Sequence, residues 1–110
     1  MPMSSPAILD DLYATILSRK GGDPDSSHTA RLFHKGRAKI AQKVGEEAVE
    51  TVIEAIAGTP EKLASESADL LYHLLVLWAD AGVQPADVYA ILEGRKGVSG
   101  IEEKNSRTRA

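Results

Sequence analysis

"KVGEEAVETVIEA" (residues 43–55) sets four glutamates, Glu46, Glu47, Glu50 and Glu54, among apolar residues that recur at helical spacing. At about 100° per residue, Glu47, Glu50 and Glu54 fall within about 60° of one another, and Glu46 lies a further ~40° round from Glu50. The apolar arc of Ile40, Val44, Ala48 and Val52 begins beside Glu47, so the acidic stripe borders the side expected to be buried. The stretch "EKLASESADLLYHLLVLWADAG" (61–82) repeats the arrangement: Glu66, Asp69 and His73 share a stripe, with Leu63, Leu70, Leu74 and Trp78 beginning next to it. A short connection around Gly58 predicts that these two helices are antiparallel neighbours. Packed through their apolar arcs, they would bring Glu47 and Glu50 opposite Glu66 and Asp69.

Helical periodicity extends outward from this pair. "AILDDLYATILSRK" places Ile8, Leu9, Leu12, Ile16 and Leu17 on one stripe, with Ser5 as N-cap and Pro6 at the first helical position. "GGDPDSS" (21–27) reads as a turn-rich connection. From His28 to Ala57 the pattern is helical, with Gly36 as a break after a short segment. Thr59 and Pro60 open the Leu-rich helix, Gly82 stops it, and Pro85 starts a shorter helix through about Glu93. Alternating β-branched runs are absent, and aromatic residues make up only 5% of the chain. The expectation is an all-α bundle of four or five helices in one domain spanning 1–110, with about 95–110 a loop or tail.

The 110 residues suffice for one domain with its own core. There is no cysteine, which removes disulfides, thiolate metal sites and thiol catalysis and suits a reducing cytoplasm. A net charge of −3 argues against a general nucleic-acid binder. No apolar run approaches the roughly 20 residues of a membrane span, and the N-terminus lacks the basic-then-apolar pattern of a secretory signal.

Four carboxylates converging at a bundle edge would repel one another and lose hydration. An all-oxygen set suits a hard cation, Mg²⁺ foremost, which takes a few carboxylates and completes its shell with water and phosphates. The same stripes also read as plain solvated faces, and spacing alone leaves both readings open. Lys43 sits one turn before Glu47, placed either to pair with it or to reach a phosphate. His73 shares the carboxylate stripe, but as a nitrogen donor it suits a supporting or core role better than ligation of Mg²⁺. His28 and His34 fall at surface positions by default. No Ser–His–Asp set or thiol nucleophile is present, so a metal-activated water is the catalytic scheme these residues support.

Three stretches, in order, resemble the phosphoribosyl-ATP pyrophosphohydrolase family of the MazG-like all-α nucleotide pyrophosphohydrolases. They are "DPDSSHTARLFHKG" (23–36), "KVGEEAVE" (43–50) with "ESADLLYH" (66–73), and "SGIEEKNSR" (99–107). The acidic helices alone identify the superfamily; the first and last stretches narrow it. The resemblance implies Mg²⁺ held by Glu47, Glu50, Glu66 and Asp69, with Glu46 an outer helper and Glu50, or Glu47, orienting or deprotonating the attacking water. It implies that Lys43, Lys104 and Arg107, with Arg31 and Lys35, hold the phosphates of phosphoribosyl-ATP. The implied reaction is α–β hydrolysis to phosphoribosyl-AMP and pyrophosphate, the second step of histidine biosynthesis, by a cytoplasmic homodimer. The sequence departs from the family pattern at His28, where an aromatic is expected, and at Asn105, where a small residue is usual. Two other readings of the stripes remain: a hydrolase of other nucleoside triphosphates, and a helical module that docks a basic partner.

Overall fold

In a computed structural model, residues 5–97 are described, and they form five helices: α1 (Ala7–Arg19), α2 (His28–Lys35), α3 (Arg37–Ala57), α4 (Pro60–Ala81) and α5 (Pro85–Arg95). No strand occurs among the described residues. The all-α expectation holds, with five helices among the described residues, and α5 runs two residues farther than expected because the chain turns only at Lys96.

Local chemistry sets the boundaries. α1 starts one residue later than its sequence signal: Pro6 occupies the N-cap and Ala7 the first helical position, and the Ser5 hydroxyl, one residue before the cap, accepts the Ala7 N–H at 3.1 Å. Ser27 caps α2 by accepting from the Ala30 N–H, and Thr59 caps α4 by accepting from the Lys62 N–H. Gly36, at φ 96° and ψ 171°, ends α2 and starts α3 in a conformation open almost only to glycine. Gly82 ends α4 in the left-handed region at φ 77°.

The two-residue joint Gly58–Thr59 folds α3 and α4 into an antiparallel hairpin, the most extensive helix–helix packing among the described residues. At its far end Arg37 donates to the Asp80 carboxylate and, at 3.1 Å, to the Asp80 carbonyl. The core gathers where α1 and α2 close over this end: Tyr13, Ile16, Leu32, Ile40, Leu75, Val76 and Ala79 are buried together, and the Tyr13 hydroxyl donates to the Val83 carbonyl at 2.7 Å.

Three apolar assignments shift. On α1 the buried stripe is Leu9, Leu12, Tyr13 and Ile16, while Ile8 and Leu17 flank it on either side and are exposed. On α4 the arc of Leu63, Leu70, Leu74 and Trp78 is only half-buried; the fully buried residues Leu75, Val76 and Ala79 lie elsewhere on the helix, in the core formed with α1 and α2. A helix apolar nearly all round offers more than one candidate core face, and spacing cannot choose among them. On α3, Ile40 is fully buried, Val44 and Ala48 are half-buried, and Val52 is 61% exposed. The arc leaves cover because Ile40, near the start of α3, is the one residue of this helix in the buried core.

Candidate metal centre

The antiparallel hairpin brings the acidic stripes of α3 and α4 together. Glu47, Glu66 and Asp69 each offer a carboxylate oxygen, and these oxygens lie within 4.8 Å of one another. Glu47 and Glu66 are half-buried and Asp69 is exposed, so the trio opens to solvent on one side. Glu50 stands outside this trio and is exposed. The reason is rotational: moving round α3 from the apolar arc, Glu47 comes first, then Glu54, Glu50 and Glu46. Burial declines in the same order, with Glu47 and Glu54 half-buried and Glu50 and Glu46 exposed. Glu50 still acts on the trio through its charge, which reaches Glu66.

The Glu66 carboxyl is pushed above the ordinary range, first by loss of hydration, then by its contact with the Glu47 carboxylate and the charges of Asp69, Glu47 and Glu50. A divalent cation would relieve each of these effects. The donors are all hard oxygens from carboxylates, with no nitrogen or sulfur among them, which fits Mg²⁺. Lys43 is the nearest cation on α3, with Nζ 3.9 Å from a Glu47 oxygen and the side chain largely covered.

The remaining phosphate-binding candidates divide by location. Arg31 and Lys35 are exposed on α2, and the Arg31 Nε donates to the Pro24 carbonyl at 3.0 Å. The charges of Arg31, Lys43 and Lys35 all reach His28, whose pKa is lowered by desolvation first and then by His73 and these three cations. Positive charge from α2 and α3 therefore gathers beside the start of α2. Lys104 and Arg107 lie outside the described residues.

His28 is the part of this site that sequence reading placed at the surface by default. It is exposed, yet its ring stacks on Tyr72 at a centroid separation of 6.3 Å and meets His73 edge-on at 6.4 Å. Thr29 and Tyr72 share a hydrogen bond between their hydroxyls, which ties α2 to α4 at the same place. Periodicity within one helix cannot reveal a contact made between helices 43 positions apart. The one available signal is local: an imidazole stands where an aromatic is expected. His73 is buried and outside the carboxylate trio.

A helical bundle that gathers an all-oxygen acidic site between two antiparallel helices defines the class. The particular family follows from comparison. Residues 9–96 match the family model described as phosphoribosyl-ATP pyrophosphohydrolase. A protein of Azospirillum brasilense named phosphoribosyl-ATP pyrophosphatase is 68% identical over 103 residues, covering 94% of this chain and 93% of its own length. A protein of the same name from Paramagnetospirillum magneticum is 63% identical over 102 residues, 93% of this chain and 94% of its own length. Another from Rhodospirillum rubrum is 55% identical over 106 residues, 96% and 91% respectively. The chain belongs to the phosphoribosyl-ATP pyrophosphohydrolase family.

Proposed function

We propose that this chain hydrolyses phosphoribosyl-ATP between its α and β phosphates, with Mg²⁺ held by Glu47, Glu66 and Asp69 and with Glu50 beside them. The carrying observation is the approach of three carboxylates from two helices to within 4.8 Å, on a chain of this family. When bound, the ion supplies neutralisation of phosphate charge and a template for substrate and water. The protein's own residues supply the rest. Glu50, exposed at the rim, orients the attacking water and accepts its proton. Lys43, Arg31 and Lys35 hold the triphosphate, and Lys104 and Arg107 join them from the C-terminal signature. The water oxygen bonds to phosphorus, the bridging P–O bond breaks, and pyrophosphate leaves with its charge balanced by these cations.

The reading extends to a cytoplasmic homodimer. No helix among the described residues is long and apolar enough to cross a membrane. Support for the second copy comes from the outer face of α3, where Val49, Val52, Ile53 and Ile56 are all exposed.

The deciding experiment is pyrophosphate release from phosphoribosyl-ATP, with and without Mg²⁺, beside ATP and the deoxynucleoside triphosphates. Mg²⁺-dependent release from phosphoribosyl-ATP in preference to the others is the expected result. Release from the other triphosphates alone would keep the carboxylate site and discard the substrate; no release from any would return the stripes to a solvated face.

A further inference from the structure

His73 carries an acceptor that the fold leaves unused. The residue is 7% exposed, and its Nδ1 lies 2.8 Å from the carbonyl oxygen of Asp69, one turn earlier on α4. A carbonyl oxygen only accepts, so Nδ1 is the donor, and this fixes the tautomer of the neutral ring. Nε2 is then a bare lone pair, pointing away from Nδ1 in the ring plane. It is buried and has no hydrogen-bond partner among the described residues. Buried acceptors of this kind are uncommon and lower stability when left unpaired.

The surroundings say what would pair with it. Tyr72 meets the ring edge-on at 5.0 Å and His28 at 6.4 Å, and the Tyr72 hydroxyl shares a hydrogen bond with the Thr29 hydroxyl. No described group donates a hydrogen to the nitrogen. The charges of Arg31, Lys43 and Lys35 reach His28, which meets the His73 ring edge-on, so a phosphate held by these cations would lie in the same corner. Phosphate oxygens at neutral pH are acceptors and cannot satisfy a lone pair. His73 lies one helical turn, about 5.4 Å of rise, from Asp69 and the cation site. In a nucleotide, the group next along from the phosphates is the sugar, and its hydroxyls are donors.

We propose that His73 Nε2 accepts a hydrogen bond from a sugar hydroxyl of the bound nucleotide, so that His73 positions the sugar while its Nδ1–H holds the Asp69 turn. The rings of His28 and Tyr72 stand beside this contact. The inference rests on the nucleotide reading given above and adds the residue that recognises the sugar.

The test is ¹⁵N NMR of the histidine rings in the whole protein, with His73 assigned by its loss in His73→Asn. Spectra are taken with Mg²⁺ alone, then with phosphoribosyl-AMP, AMP and ATP. The Nε2 resonance is expected at the position of a free acceptor without nucleotide and to move towards the hydrogen-bonded position on saturation. A shift with phosphoribosyl-AMP and not AMP assigns the hydroxyl to the added phosphoribosyl group; a shift with both assigns it to the nucleoside ribose. An Nε2 already hydrogen-bonded without nucleotide, or unmoved while binding saturates, overturns the proposal.

Kinetics supply the second arm. His73→Asn retains an amide N–H able to reach the Asp69 carbonyl and loses the Nε2 position, whereas His73→Gln reaches the Nε2 position. The expected pattern is a KM about tenfold higher in His73→Asn at little-changed kcat, partly restored in His73→Gln, as for loss of one neutral hydrogen bond. Unchanged KM with a lower melting temperature is the signature of a purely structural histidine. The two readings fail differently. Turnover of phosphoribosyl-ATP with Nε2 unmoved sinks the His73 contact alone, whereas absent turnover with Nε2 shifted by ATP keeps the contact and discards the substrate.

Discussion

Single carboxylates in this site work against the metal-free fold. Glu47, Glu66 and Asp69 hold negative charge within 4.8 Å, and the raised Glu66 carboxyl records the strain of doing so. Replacing Glu47 or Asp69 by its amide should therefore lower kcat/KM by about 10³-fold, since several kcal/mol of charge stabilisation depend on the ion. In EDTA the same variants should melt at the wild-type temperature or above it. Pyrophosphate release and thermal melts on one preparation check both halves, and full activity in Glu47→Gln would remove that residue from the site. The Lys43–Glu47 pair changes this little, because a partly exposed pair at 3.9 Å contributes only a few tenths of a kcal/mol. His28 makes a pH prediction. Its pKa is lowered in the folded protein, so above about pH 6.5 the ring is neutral in both states and its contribution to stability is fully present. As pH falls below that value the unfolded chain takes up the proton first, and stability is lost down through the folded pKa. The expected result is that His28→Phe loses less melting temperature than wild type between pH 7 and 5, measured without nucleotide.

At the scale of elements, backbone conformation at two glycines sets how the helices meet. Gly36, at φ 96° and ψ 171°, places α2 so that His28, Arg31 and Lys35 gather near Lys43. Gly36→Ala should cost about 2–3 kcal/mol, because that region is almost closed to residues with a Cβ. Gly82→Ala, in the milder left-handed region, should cost about 1–2 kcal/mol. Urea midpoints for the two variants test the ranking, and an equal cost would mean that the α2–α3 joint relaxes. These boundaries were legible in the sequence, since Gly36, Thr59, Pro60, Gly82 and Pro85 each act on the chain within a turn or two. Burial was legible only in part. The stripe on α1 sits about a quarter-turn from its outermost residues, leaving Ile8 and Leu17 at its margins. On α4 the choice between two apolar faces depends on where α1 and α2 land, which no local pattern records.

For the whole molecule, the site follows from how one hairpin is covered at its two ends. The far end is closed by Arg37 and Asp80 and by the core around Ile40, Leu75 and Val76; Ile40→Ala there should cost about 2–5 kcal/mol in chemical denaturation. The carboxylate trio was legible because both stripes sit on helices that a two-residue joint forces into register. The corner of His28, Tyr72 and His73 was not, because it exists only once α2 is docked on α4. The other end of the hairpin carries an apolar surface that is left uncovered among the described residues. Val49, Val52, Ile53 and Ile56 fall within about 100° of one another on α3, and Ile56 is 84% exposed. Four β-branched residues on one helix face, on the side away from α1 and α2, call for apolar cover that a second copy of the chain would supply. The paired change Val52→Lys with Ile53→Asp should therefore yield a monomer in analytical ultracentrifugation, where the proposed homodimer predicts a dimer for wild type. Its melting temperature should fall and lose the concentration dependence expected of wild type. Because Glu47 and Glu50 lie on the same helix, the effect on turnover identifies what the partner does: activity retained in the monomer would make each site self-sufficient, and activity lost at full Mg²⁺ would mean that the second chain completes it.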